Sequence, residues 1–388
     1  MENLKKMNVL VLGTSGAGKS TLIKAISGAE VKTAVGESVT QKIDVYESTT
    51  WPIRCIDTKG FEYKWIEQRK TIKQVKKFTK QQLSAEADES GNEPGIDVVW
   101  YCVDGCAKRV FNENIEMMNK SIRGWKNVPV FVVITKSISE VEIEENVEAV
   151  KKAFEKEKQV NLQKIIPVVA APYYIKSEVV EQMGIVELCE ATLDYMDEAK
   201  EISRENRNRM ILEQKRTSAN ALTACASAGA VVVGVAPISF ADSLILVPLE
   251  TALTKKIFKI YEIDFTGELV TAVVGSAAIT NVAKTVVSSL KTIPNIAGNI
   301  LNGVVAGFFV AAIGEAVIAL SDAIYLGKID KDKMENIIEF LAEKLKNNVV
   351  LAFIIRYIEK NADKLQGKSA KEMFKMIDKA AKEEVEKK

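Results

Sequence analysis

Residues 13 to 20 read Gly-Thr-Ser-Gly-Ala-Gly-Lys-Ser and fit the pattern G-x-x-x-x-G-K-[ST] at every fixed position. The chemistry this spacing allows is the capture of phosphate. Gly13, Gly16 and Gly18 let the backbone curl until successive N–H groups point inward at phosphate oxygens. Lys19 adds a positive charge that reaches the terminal phosphates, and the Ser20 hydroxyl can ligate Mg2+. The expected contacts on this loop are Gly13, Ser15, Gly16, Ala17, Gly18, Lys19, Ser20 and Thr21. A second pattern, Asp57-Thr-Lys-Gly60, joins an acid that can hold Mg2+, usually through water, to a glycine whose bare N–H can approach a γ-phosphate. Between the two, Gly36-Glu-Ser-Val-Thr40 is small and polar. A phosphate-sensing switch needs a hydroxyl there. Thr40 is the choice, with Ser38 and Thr33 as competitors. Lys19, Thr40 and Gly60 are thus the candidate catalytic residues, and Ser20, Thr40 and Asp57 the candidate metal ligands.

These groups work only if the elements around them hold them in place. The loop must follow a buried strand and open a helix. Met7 to Leu12 is a short apolar run suited to a strand. Leu22, Ile23 and Ile26 fall at helical spacing, and Gly28 makes a stop. Ile53 to Ile56 is a strand that delivers Asp57. Ile43 to Tyr46, Asp97 to Val103, Val128 to Ile134 and Ile165 to Val169 read as further strands. Ser139 to Lys158 is a charged, solvated helix, Ser84 to Gly95 a surface loop, and Glu187 to Arg209 a helical run that closes the domain. Strands alternating with helices predict an α/β layer fold with a largely parallel sheet.

The chain has 388 residues, enough for two domains. A net charge of +1 gives no global basic field, so there is no nucleic-acid signal. There is no histidine, which removes imidazole metal ligands, Ser-His-Asp triads and histidine general bases. Cys55, Cys102, Cys106, Cys189 and Cys225 form no C-x-x-C pair and read as reduced thiols packed as small apolar groups. Met1 to Lys6 leads straight into the first strand without a secretory leader. A cytoplasmic location is the expectation.

Composition shifts near Ser218. Residues 219–250 and 296–320 are almost free of charge; Ala221 to Ser239 has none, and Gly303 to Ser321 has only Glu315. Both stretches are long enough to be membrane candidates. Both are also rich in small residues that suit close helix packing, in lipid or in a soluble bundle. Two readings therefore stand for this half: apolar helices engaging a membrane, or a helical bundle with its apolar faces buried internally or in a homodimer.

The Gly13–Ser20 loop, Thr40 and Asp57-x-x-Gly60 together resemble the Ras-like GTPases of the translation-factor class, with a Lys19-to-Thr40 spacing similar to the Era-like branch. The resemblance covers roughly the first half of the chain. It implies a P-loop GTPase domain over residues 1–202, a six-stranded sheet with one antiparallel edge strand and helices on both faces, GTP or GDP with Mg2+ as ligands, and nucleotide-sensitive switches. The family's base-reading N/T-K-x-D element corresponds to Thr135-Lys136-Ser-Ile138, and its backbone contact to the base to Val169-Ala170-Ala171, so Thr135, Lys136 and Ala170 are the implied base contacts. Ile138 stands where the family has the aspartate that accepts from guanine, and an isoleucine accepts nothing. Guanine against adenine is left open, with Glu140 as a neighbouring carboxylate. Phe61 stands where many relatives place the glutamine that orients water, which predicts slow intrinsic hydrolysis stimulated by a partner, a dimer contact or another residue. Arg54, Arg69 and Arg109 read as surface arginines. Residues 235–250 and Ile257-Phe-Lys-Ile-Tyr261 resemble the helical domain of unknown function 697, implying an all-α domain over 203–388, with Asp242 as a helix cap after Pro237. The functions in competition are a GTPase switch acting on a membrane or protein partner through 203–388, an ATPase, and an assembly protein that binds nucleotide with little turnover.

Overall fold

The computed structural model describes residues 6–28, 43–58, 96–107, 128–155, 160–175, 178–195, 202–234, 246–265, 270, 274 and 298–386. They form two compact units. One comprises residues 1–171 and 182–217, the other residues 172–181 and 218–388.

The first unit is built on a six-stranded sheet. Its strands are β1 (Met7–Gly13), β2 (Ile43–Glu47), β3 (Ile53–Thr58), β4 (Val98–Asp104), β5 (Val130–Thr135) and β6 (Leu162–Val168), in the order β2-β3-β1-β4-β5-β6. All pairings are parallel except β2 with β3, which places an antiparallel strand at one edge. Every residue of β1 is buried, as expected of a central strand covered on both faces. Successive side chains divide between those faces. Val9 and Val11 join one core with Leu22, Ile26, Trp100, Phe131 and Leu188. Leu10 and Leu12 join the other with Val99, Tyr101, Val132, Val150 and Phe154. Helices α1 (Lys19–Ser27) and α3 (Ile185–Leu193) serve the first core, and α2 (Glu140–Glu155) the second. The doubly covered, mostly parallel sheet is the fold class expected.

Several strand ends shift by one or two residues from expectation, β5 for instance beginning at Val130 rather than Val128, and two larger differences have a clear cause. Strand β6 begins at Leu162, not Ile165, because Leu162 pairs with Val130 while the exposed Gln163 and Lys164 give its first half a loop-like composition. The run expected as one helix over 187–209 is broken. Helix α3 ends at Leu193, and α4 (Arg204–Gly234) starts afresh where the Ser203 hydroxyl accepts from Asn206 N–H at 3.2 Å. Helix α4 holds 31 residues, about 46 Å, and runs without interruption through the compositional shift at Ser218.

The second unit holds a small antiparallel hairpin, β7 (Tyr173–Ile175) with β8 (Glu178–Val180), and α5 (Leu246–Ile260), α6 (Gly298–Tyr325), α7 (Met334–Lys346), α8 (Val349–Leu365) and α9 (Ala370–Glu386). Helix α6 is the hub: α5, α7, α8 and α9 all pack on it. Close approach needs small residues. A Cβ at Gly314 would lie 2.3 Å from Thr223 Cγ2, and one at Gly307 would lie 2.5 Å from Val231 Cγ2, so the distal half of α4 presses directly on α6. Tyr261 OH donates to Asp322 at 2.8 Å, and the Phe308 and Phe374 rings stack at 4.3 Å. Asn302–Tyr325 contains an 18-residue window with a mean hydropathy of 2.2, enough in length and composition to cross a membrane, yet 83% of that window is buried, as in the core helix of a bundle. Of its two acids, Asp322 accepts from Tyr261, and Glu315 is exposed and accepts from Asn348 Nδ2. Of the other apolar stretch, residues 235–245, with Pro237 and Asp242, lie outside the described residues.

Candidate functional site

The loop after β1 is shaped by its glycines. Gly13 lies opposite Cys102 of β4 at φ +141, and a Cβ there would sit 2.4 Å from the Cys102 carbonyl oxygen. Gly16 and Gly18 adopt φ of +80 and +76, the left-handed region that side chains disfavour. Lys19 folds back over the loop, its Nζ donating to Gly13 O at 2.8 Å and Thr14 O at 2.9 Å. Ser15, Gly16, Ser20 and Thr21 are exposed, so the loop's outer rim is open, while Ala17 is buried beneath it.

Beneath the loop stands Thr135, the last residue of β5, 1% exposed. Its hydroxyl lies 2.9 Å from Ala17 O and 3.0 Å from Val103 O, and its side chain would be 3.3 Å from a Cβ at Gly18. Thr135 therefore props the phosphate loop against the ends of β4 and β5. The pattern that singled it out as a base contact held no sign of this role.

Asp57 is 4% exposed and lies opposite Val11 where β3 runs beside β1. Burial pushes the Cys102 thiol up to about 12; Lys19 pulls it down and Asp57 pushes it up. Asp57 lies near the C-terminal end of β3 and Lys19 opens the helix that follows β1, so both stand at strand ends of the kind where open α/β sheets bind ligands. Thr40, Gly60 and the competitors Thr33 and Ser38, with Gly36, Lys59, Phe61, Arg69 and Arg109, lie outside the described residues. Arg54 is held by Glu47 on the edge strand, Nη2 to Oε1 at 3.0 Å.

Further along the same edge, Lys136 takes a φ of +55 and pairs with Asp104 at 2.6 Å, a partner sequence reasoning missed although it ends a buried strand. Ser137 N–H donates to Val168 O at 3.2 Å, and Asn146 Nδ2 donates to Gly105 O at 2.9 Å, tying together the ends of β4, β5 and β6. Ile138 is half-buried and Glu140 exposed on the first turn of α2. Ala170, 8% exposed, accepts from the buried Gln182 Nε2 at 2.5 Å.

The described residues fit a Mg2+–nucleotide. Left-handed glycines turn backbone N–H groups toward an anion, Lys19 adds charge, and Ser20 and Asp57 offer the oxygen donors that Mg2+ prefers.

A six-stranded sheet of this order, with a Gly-Lys-Ser loop between β1 and α1, defines a P-loop nucleotide-binding domain followed by a helix-rich region. Residues 8–136 match the 50S ribosome-binding GTPase family, and residues 198–347 match the domain of unknown function 697. The chain thus joins a GTP-binding domain of that family to a helical domain of unknown function 697. No curated protein matches it. Among solved structures, apo elongation factor SelB from Methanococcus maripaludis is 20% identical over 50% of this chain and 35% of its own, with a TM-score of 0.32. The chain therefore spans about a third of that structure's length. The SAR1-type small GTPase of Encephalitozoon cuniculi in complex with GDP is 17% identical over 43% of this chain and 70% of its own, TM-score 0.28. A probable GTP-binding protein engB is 24% identical over 42% and 89%, TM-score 0.28.

Proposed function

We propose that the chain is a Mg2+-dependent GTPase whose nucleotide state is relayed from a domain over residues 1–202 to a helical domain over 203–388, and from there to a protein partner. The observation that carries this reading is the glycine loop between β1 and α1, with Gly16 and Gly18 left-handed and Lys19 folded over it, beside the buried Asp57 on the neighbouring strand β3. In this reading Gly13, Ser15, Gly16, Ala17, Gly18, Lys19, Ser20 and Thr21 cradle the phosphates, Ser20, Thr40 and Asp57 hold the metal, and Gly60 senses the γ-phosphate. Bound Mg2+ neutralises charge on the β- and γ-phosphates. Lys136 and Ala170 line the base side, with Thr135 supporting the loop from below. Phe61 cannot orient water, so intrinsic turnover is slow and a second molecule or copy supplies the missing group. The burial of α6 within its own bundle favours a cytoplasmic protein over a spanning one.

Lys19→Ala should weaken GTP binding about 30-fold or more, as expected when one member of a charge pair is lost. Because Lys19 also ties the Gly13 and Thr14 carbonyls, Ser20→Asn provides a second test: it should weaken binding only when Mg2+ is present. Unchanged GTP affinity in both variants removes the assignment. Ile138 motivates one alternative, an ATPase, and equal competition by ATP and GTP for the site would favour it. Resistance of membrane-bound protein to a carbonate wash would reverse the location.

A further inference from the structure

The base-side edge of the site is closed by a neck of hydrogen bonds. Val169 and Met183 exchange N–H···O bonds at 3.1 Å in each direction, and Gln182 Nε2 donates to Ala170 O at 2.5 Å. Gly184 completes the return at φ +76, where a Cβ would lie 2.2 Å from Pro167 O. Between the two sides of this neck the chain leaves as the β7–β8 hairpin, with Tyr173 opposite Val180. Residues 172–181 belong with the helical unit, while Ala171 and Gln182 on either side belong with the sheet.

The residue at the crossing is Glu181. Lys256 Nζ reaches it at 2.5 Å and Lys259 Nζ at 2.7 Å, both from α5, and its side chain is 12% exposed. Burial alone would push this carboxyl up. The hydrogen bonds from the two lysines outweigh it and bring it down to about 2, so the group is ionised at any physiological pH. A carboxylate shielded from water and gripped by two lysines one turn apart is a firmer anchor than an exposed surface pair. Nothing in the phosphate chemistry requires it. Its peptide neighbour is the residue whose amide holds Ala170.

We propose that Glu181 is a positioning residue for base recognition: its ion pairs with Lys256 and Lys259 fix the adjoining Gln182, whose amide fixes the Ala170 backbone at the base-side edge. This rests on the nucleotide reading given above. Helix α5 thereby sets the affinity for the base but not for the phosphates, which the loop beyond β1 captures two strands away from β5. By linkage, base binding alters the hold on α5 in return.

The test is calorimetric titration of the full chain with GDP, ADP and inorganic pyrophosphate in Mg2+. Glu181→Gln should lose about tenfold in affinity for the preferred nucleoside diphosphate, within the usual range of site coupling, and keep its pyrophosphate affinity. Lys256→Gln combined with Lys259→Gln should reproduce that pattern, and Glu181→Asp should restore part of the loss. Unchanged nucleotide affinity in Glu181→Gln overturns the proposal, and so does an equal loss for nucleotide and pyrophosphate, which marks a purely structural role. A wild-type chain that takes up pyrophosphate but neither nucleotide removes the base-side reading and the proposal with it. A wild-type chain that binds nucleotide, beside an unaffected variant, removes the proposal alone. Should Glu181→Gln fail to fold, Lys259→Gln, at a side chain 69% exposed, carries the same expectations.

Discussion

Glu250 offers a direct test of how the helical unit is held. It sits on α5 at 5% exposure, on the same helix as the buried Leu253, Thr254 and Ile257. No described residue pairs with it, and the buried hydroxyls of Thr251 and Thr254 on the same helix have no partner among the described residues either. Burial alone pushes its carboxyl up from 4.5 to about 7. Between those values the folded chain holds a proton that the unfolded chain releases, so stability must fall as pH rises. The contribution is fully present below about 4.5 and gone above about 7. At about 1.4 kcal/mol per pH unit the loss is about 3 kcal/mol. This window is unusually clean, because the chain has no histidine to titrate in it. Denaturant unfolding followed by helical circular dichroism at pH 5 and pH 8 should show the loss, and Glu250→Gln should flatten it. Parallel stability–pH curves for wild type and variant would refute the reasoning.

Thr135→Val keeps the shape of the side chain and removes the hydroxyl that props Ala17 O. It should cost about 1–3 kcal/mol and speed nucleotide release, which stopped-flow displacement of a fluorescent nucleotide would measure. Gly314→Ala forces a methyl to within 2.3–2.5 Å of Thr223, and thermal unfolding should report a loss of about 1–3 kcal/mol with nucleotide affinity unchanged.

The phosphate loop was legible because its chemistry is local: glycines, lysine and serine at fixed spacing between a strand and a helix. The central strands were legible for a related reason, since β1, β4 and β5 are buried on both faces and read as unbroken apolar runs. What escaped was set by tertiary pairing. Gln163 and Lys164 look like loop residues and become strand only because Leu162 finds Val130. Strands β7 and β8 have three residues each, too short for any period to register. The roles of Thr135 and Gln182 depend on carbonyls 118 and 12 residues away, which no local pattern encodes. The membrane question had the same origin: composition makes α6 apolar all round, and only its neighbours reveal that the apolar surface is already covered.

Helix α4 answers to two cores. Near its start, Gln214 accepts from Trp51 Nε1 at 3.1 Å and donates to Ala25 O at 3.3 Å. Further on, Leu222, Ala226 and Ala230 are fully buried and Thr223 faces Gly314. The join that composition marks as a seam therefore lies inside one hydrogen-bonded helix, and a cut between Thr217 and Ser218 would open the backbone bonds that cross it and leave two new helix ends with unsatisfied groups.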